Sequence, residues 1–455
     1  MKNSERFSLA NLPFYYGWVI VGTALVTMLV AYGIWWSFSM FYVQILKEFG
    51  WSRGSTATIF TVGSVVYGIG SLVAGALVDR FGPRKLLPFA CLLIAAGCLI
   101  NFLAGQLWHF YVAYGLFIGL GVICAGFVPM TVVLSNWFVK RRGAALGVAL
   151  IGNIQPPLLA VPIQFLIAAF GWRLSYAILG AVALLIIAPL TALLMRTRPR
   201  DVGLEPDGFP ADEDSKGGRP RTSRYAVKIV NRQWAETDWT LKRATRTRQF
   251  WILCAMMAAM GTGAGMIMHH LVPMAMDAGH TVALAAFIFS LAGLCSIGGR
   301  LGGFLSDRWG RETVFTILAS FFILSALALL VMIRTGQTWP LYLYALAYGV
   351  GAGLSSPAFG AGTADLFVGR SFGAILGFIN ISYGIGQGVG AWAGGAIFDK
   401  TGGYSPAMLA AIPLFAAMCL LFWLAGPRKI RKMVKTSSPR RGEDRGAGGN
   451  SNIPA

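Results

Sequence analysis

The chain has 455 residues, of which 56% are hydrophobic and only 12% charged, about half the charged share of a soluble protein. Phe7 to Leu46 and Leu86 to Val139 contain no Asp, Glu, Lys or Arg, which excludes disorder, a disulfide scaffold and an ordinary soluble enzyme. A net charge of +20 would normally point to acidic partners, but in a membrane protein it has a prior explanation in topology.

About 20 apolar residues are needed to cross the ~30 Å hydrocarbon layer as a helix. Cut at its charged and turn-rich breaks, the first half gives spans near 17–43, 55–78, 86–104, 108–136, 143–169 and 174–195. The second half gives 250–275, 281–306, 313–333, 339–365, 371–397 and 404–426. These runs are continuously apolar rather than alternating, so barrel strands are excluded. The single long break, 196–249, is rich in charge, Gly and Pro and reads as a linker between two bundles. The domains are then a short N-terminus (1–16), a bundle (17–195), the linker (196–249), a second bundle (250–426) and a basic tail (427–455), unstructured at least from Gly442 to Ala455. All six cysteines fall inside spans at no metal-ligand spacing and read as small packing residues. The first apolar run is too long for a cleaved signal and should remain as an anchor.

With both termini on one side, 32 of the 38 cations lie in the loops, linker and tail of that side, and five (Lys47, Arg53, Arg173, Arg334, Lys400) lie opposite. The positive-inside rule makes the termini and linker cytoplasmic in a multi-pass cell-membrane protein, taken as a bacterial inner-membrane one. The basic tail can also lean on anionic lipid, so membrane lipids are expected partners and nucleic acid is not. One cation is left over: Arg300, inside a span.

Gly75-Ala-Leu-Val-Asp79-Arg80-Phe-Gly82-Pro-Arg84 follows the second span, and Gly303-Phe-Leu-Ser-Asp307-Arg308-Trp-Gly310-Arg311 follows the eighth, 228 residues on. Arg142 and Arg370, Phe170 and Phe398, and Tyr176 and Tyr404 recur at the same offset, which indicates a duplicated six-span unit. The first glycine lets helices approach closely, the aspartate caps or faces a helix terminus, and the second glycine permits a tight turn. The cations can bind carboxylate or phosphate at the interface.

On these motifs the chain resembles the major facilitator superfamily from about residue 12 to 427. The resemblance implies an all-α membrane protein with twelve transmembrane helices in two six-helix pseudo-symmetric bundles, a substrate site between them and alternating access. It also implies that Gly75, Asp79, Arg80, Gly82, Arg84, Gly303, Asp307, Arg308, Gly310 and Arg311 form conformational latches, with Pro83 a departure that stiffens the first turn. Tyr32-Gly-Ile-Trp-Trp-Ser37, Glu48-Phe-Gly-Trp-Ser-Arg53, Asn136-Trp-Phe-Val-Lys-Arg-Arg-Gly143, Gly171-Trp-Arg173 and Asp365-Leu-Phe-Val-Gly-Arg370 are similar to the monocarboxylate transporter and oxalate–formate antiporter group.

In chain order, the candidate site begins with Tyr32, beside Trp35 and Trp36, of which only one can face inward. Asn153 and Gln155 flank Pro156–Pro157, which break the fifth span and free carbonyls that need polar partners; a plain kink is the alternative. His269 and His270 near the outer end of the seventh span could gate a proton, or could sit at a wet helix end. Arg300 lies seven residues, ~10 Å, from Asp307, deep enough to strain snorkelling. A cation there costs ~2.5–3.5 kcal/mol on insertion scales and should face a cavity and await an anion. The resemblance implies that it binds a substrate carboxylate. Ser296 stands four residues earlier, where proton-coupled carriers of the group have an aspartate. The eleventh span, cationic in dicarboxylate exchangers, offers Asn380, Ser382, Tyr383 and Gln387 instead. One buried positive charge suits a monoanion.

The expected function is therefore secondary active transport of a small organic anion, a monocarboxylate, by a monomeric carrier without cofactor, metal or enzymatic activity. A co-transported proton and an exchanged anion stay open. Export of a drug-like or neutral metabolite with a structural Arg300, and a transporter-like membrane sensor, are the alternatives. The glycines from Gly384 to Gly395 read as helix-packing positions rather than a nucleotide loop.

Overall fold

The computed structural model describes residues 14–51, 53–153, 157–208, 225–367 and 369–435. Among them twelve helical spans follow in the expected order, six on each side of the linker. The first, Gly17–Trp36, bends at Ser37 and continues as Phe38–Phe49; Ser37 Oγ donates to the Ile34 carbonyl at the bend. Arg53–Phe81, Pro83–Leu103 and the composite Leu107–Trp137 follow. The fifth span starts as Arg142–Leu150, tightens into a 3-10 turn at Ile151–Asn153 and resumes at Pro157. It ends at Gly171, whose φ of 76° suits only a residue without Cβ, and the sixth span runs on to Leu194. The second half contains Arg248–Asp277, then Val282–Leu301 continued by Gly303–Trp309, then Arg311–Thr335, Trp339–Phe367, Phe372–Thr401 and Ser405–Ala425. Among the described residues nine helices are long and apolar enough to cross a membrane by composition alone. Leu103, Phe165, Leu185 and Leu420 lie 65–71% exposed, as a surface bathed in acyl chains requires and a surface in water does not.

In lipid, apolar side chains give helices little reason to associate, so close backbone approach carries the packing. The seventh and eleventh spans show this most plainly. A Cβ on Gly261 or Gly265 would run into the carbonyls of Tyr383 or Gln387, and one on Gly386 or Gly390 into those of Ala258 or Thr262. The eighth and tenth spans repeat the device, with Gly349 against the Ala292 carbonyl and Gly353 against that of Ser296. Gly384 and Gly388 meet nothing within 4 Å, so only one face of the glycine-rich stretch is a packing face.

The linker is more ordered than its composition suggests, and the tail is corrected in part. Asp207 accepts from the amides of Val139, Lys140 and Arg141 and so belongs to the first half. Trp234 donates to the Leu366 carbonyl and Trp239 packs edge-on against Phe367 at 5.1 Å, which belong to the second. Strand β1 (Tyr225–Ile229) pairs antiparallel with β2 (Arg431–Lys435), Tyr225 opposite Lys435 and Ile229 opposite Arg431. Residues 427–435 of the expected unstructured tail are thus held by backbone hydrogen bonds that only pairing reveals. The stretch Gly442–Ala455 lies outside the described residues.

Gly390→Val should cost about 1–3 kcal/mol by overpacking and lower the thermal midpoint in detergent. Gly388→Ala should leave it unchanged or slightly higher. Equal losses from both would remove the one-sided packing face.

Candidate functional site

The two halves meet through matched contacts near the face that carries the termini. Gly75 lies against the Gly373 carbonyl and Gly373 against that of Gly75; Gly303 and Gly143 repeat the pair. This approach brings each motif aspartate to a helix start in the opposite half. Asp79 accepts from the amides of Gly373 (3.0 Å) and Ala374 (2.9 Å) at the start of the eleventh span. Asp307 accepts from Gly143 (2.9 Å) and Ala144 (2.9 Å) at the start of the fifth. A helix start carries unpaired N–H groups and a partial positive charge, so a carboxylate is its natural cap. Gly82 and Gly310, at φ of 73° and 93°, turn the chain sharply behind each aspartate. The loops are related by 228 residues, but the capped helix starts Gly143 and Gly373 are related by 230. The equivalence of Arg142 with Arg370 read from a constant offset therefore slips: Arg142 is buried and Arg370 is exposed.

The cations of the motif divide. Arg311 joins the latch, donating to Asp307 Oδ1 (2.6 Å), Ser306 Oγ (2.8 Å) and Asp365 Oδ2 (2.9 Å). Arg80 lies exposed over the Phe81 ring, Arg84 donates to the Ala192 carbonyl, and Arg308 lies exposed over Phe304. These three make none of the contacts between halves found at the two aspartates. Sequence reasoning passed over Arg142 and Asp365. Arg142 Nη1 binds Asp365 Oδ1 at 2.6 Å across the halves, and its remaining nitrogens donate to the Phe138 and Ser135 carbonyls. Both residues stood in quoted motifs; the usable signal was their place at span ends facing the latch loops, but loop charges had been assigned to topology. Among the described residues the network occurs once. Where the second copy has Arg311 and Asp365, the first has Pro83 and Asn136, and Asn136 donates to the Thr197 carbonyl instead.

Deeper in the interface lies Arg300, 9% exposed. Nη1 donates to Ser296 Oγ one turn earlier (3.0 Å), and Nη2 reaches across to the Asn153 carbonyl in the fifth span (2.9 Å). Nε is buried and has no hydrogen-bond partner among the described residues. The guanidinium's partners among the described residues are neutral, and Nε is left open, which is the condition in which a carboxylate is best received. The Arg300 backbone is equally tightly seated: a Cβ on Gly147 of the first half would run into its carbonyl, and one on Gly353 would crowd its amide.

Tyr32 is buried nearby, its hydroxyl 2.8 Å from that of Tyr67 and accepting from the Phe127 amide. Trp35 settles which tryptophan turns into the first bundle: its ring stacks on Tyr114 at 5.1 Å, and the Tyr114 hydroxyl donates to its carbonyl. Tyr383 lies within electrostatic reach of Tyr67 and Tyr348. Asn380 is half-buried, and Gln387 lies beside Met268, its Nε2 3.9 Å from Sδ. Gln155 lies outside the described residues. The histidines are elsewhere. His270 Nε2 donates to the Ala391 carbonyl (2.8 Å) and its ring fills the space opposite Gly394, so it pins the seam between the seventh and eleventh spans. His269 is exposed at the end of that seam. Among the described residues no group of three or more potential metal ligands occurs.

The sequence profile of the Major Facilitator Superfamily matches residues 23–359 and 295–445. The chain is 30% identical to Monocarboxylate transporter 11 of Homo sapiens over 87% of its own length and 79% of that protein's. It is 27% identical to Monocarboxylate transporter 13 of Rattus norvegicus, with 87% and 86% covered. It is 26% identical to the uncharacterized MFS-type transporter YcxA of Bacillus subtilis, with 85% and 87% covered. In fold it is similar to the proton:xylose symporter XylE bound to 6-bromo-6-deoxy-D-glucose, at a TM-score of 0.70 and 15% identity, covering 90% of this chain and 95% of that one. A second similar structure is the E. coli fucose:proton symporter FucP, at a TM-score of 0.63 and 16% identity, with 90% and 99% covered.

Because Asp365 is shared by two buried arginines, Asp365→Ala should cost about 3–5 kcal/mol, read as a fall in the thermal midpoint in detergent. Arg80→Ala and Arg308→Ala, which remove exposed cations, should cost less than about 1 kcal/mol. The reverse ranking would return the latch to the exposed arginines.

Proposed function

The chain belongs to the major facilitator superfamily, and from that premise we propose that it carries a small organic monoanion, a monocarboxylate, across the cell membrane by alternating access. One observation carries the reading: Arg300 is buried between the halves, is bonded to neutral groups and keeps Nε open. A carboxylate bound there would take two parallel hydrogen bonds and supply the missing counter-charge. The similarity to monocarboxylate transporters supports the same substrate class. Tyr32, Asn153, Asn380, Tyr383 and Gln387 would recognise the remainder of the substrate; none of them is charged, which favours a monoanion over a dianion. Ser296 provides no titratable group beside the guanidinium, so a proton, if one is coupled, travels by another route.

The lopsided loop charge supports a cytoplasmic position for termini and linker. Both aspartate caps and the Arg142–Asp365 pair join the halves on that face, which supports reading the described conformation as closed toward the cytoplasm. Release of both caps would let the halves rock and open the site inward.

In proteoliposomes screened with short monocarboxylates, Arg300→Gln should abolish uptake of the accepted anion. Arg300→Lys, which keeps the charge but loses the paired geometry, should lower kcat/KM by about 100-fold. Uptake equal to the parent in both variants, or uptake indifferent to substrate charge, would refute the assignment and favour a neutral or drug-like substrate with a structural Arg300.

A further inference from the structure

A helical carbonyl normally accepts from the amide four residues on, or three residues on in a 3-10 turn. For Asn153 those positions are Pro157 and Pro156, and neither has an N–H. The tandem prolines therefore deprive one carbonyl of both of its helical donors, which a single proline would not do. In a low-dielectric interior such an orphan needs another donor. The structure supplies one from the opposite half: Arg300 Nη2, at 2.9 Å. Ile151–Asn153 forms the 3-10 turn at the end of the Arg142–Leu150 helix, and the helix resumes at Pro157, so the carbonyl lies at the break.

We propose that Pro156 and Pro157 make the Asn153 carbonyl a built-in competitor for the substrate carboxylate: it occupies part of the Arg300 guanidinium in the empty carrier and is displaced on binding. Pro156 and Pro157 are then positioning residues that act through Arg300. The consequence is a direct coupling of occupancy to motion. Nη2 bonded to Asn153 is a tie between halves; a carboxylate that takes Nε–H and the Nη2–H now given to Asn153 removes it, while the bond of Nη1 to Ser296, within the second half, persists. The substrate thus loosens a buried contact between halves by the same hydrogen bond that holds it. The inference rests on the assignment of a carboxylate to Arg300, but its structural part can be tested without any substrate.

The test uses the full-length protein in nanodiscs. Pro157→Ala restores an N–H to the Asn153 carbonyl in α-helical register and Pro156→Ala in 3-10 register; Pro162→Ala is the control, because Pro162 lies five residues past the break in the same helix and leaves the Asn153 carbonyl untouched. With pyruvate as the probe in equilibrium binding, Pro157→Ala or Pro156→Ala should tighten binding by about tenfold, the worth of one hydrogen bond to a charged group, and Pro162→Ala should not. Unchanged or weaker binding in both, with pyruvate binding in the parent abolished by Arg300→Gln, would overturn the proposal. If pyruvate fails to bind, or binds regardless of Arg300→Gln, the carboxylate assignment fails and a substrate-free measurement decides the tie. Spin labels at the exposed positions 85 and 370, in a background with the native cysteines replaced, report the separation of the halves. A longer-distance population in Pro157→Ala upholds the tie, and an unchanged distribution overturns it.

Discussion

The architecture depends on one constraint: in a bilayer, a backbone N–H or C=O that lacks a partner has no water to turn to. The two motif aspartates apply it across the halves. Each reaches the free amides of a helix start in the other bundle, and it can do so only because Gly75–Gly373 and Gly303–Gly143 let four backbones come together. Glycine and aspartate are therefore a single device. A side chain at any of these glycines separates the helices, and the cap fails before any charge is changed.

The pseudo-symmetry of the two caps stops at the next shell of contacts. Asp307 is embedded between Arg311 and a pair of amides, and Arg311 is tied through Asp365 to Arg142. The first copy has Pro83 and Asn136 in the corresponding places, and among the described residues Asp79 is held by the helix start alone. A desolvated carboxylate paired with a guanidinium is much harder to extract than one held only by amides. The two sides of the interface consequently resist separation unequally, and the first-half cap is the weaker.

Much of this was legible in the sequence because lipid permits so few solutions. Span number, the six-plus-six division and the duplicated loops follow from uninterrupted apolar runs and from motifs at one offset. That the motif aspartates cap a helix terminus was legible for the same reason, since a carboxylate at a span end has little else to bind. The latch cations were not. Arg80, Arg84, Arg308 and Arg311 look alike in sequence, and it is the turn at Gly310 that leaves Arg308 exposed on one helix and buries Arg311 at the start of the next. Arg142 had been counted as a topological marker and Asp365 stood only in a motif of the resemblance, so neither was read as half of a pair. Arg300 stood out as a lone cation in a span, yet its partner across the halves is a backbone carbonyl, which every residue has; the prolines that free it were visible, and the donor that finds it was not. His270 looked titratable and exposed to function, but its surroundings depend on Gly394, 124 positions away.

The division of the linker has a mechanical consequence. Asp207 is fastened to the first bundle, and from Tyr225 onward the chain is fastened to the second, through β1 and β2 and through Trp234. The strands bracket the seventh to twelfth spans, so the second bundle is closed on itself like a belt buckled to its own start. Only the stretch between Gly208 and Tyr225 joins the two bodies, with a contour of roughly 55–60 Å when fully drawn out. Each bundle is thus buckled by its own part of the linker, and among the described residues the glycine contacts, the aspartate caps, the Arg142–Asp365 pair and Arg300 hold one bundle against the other.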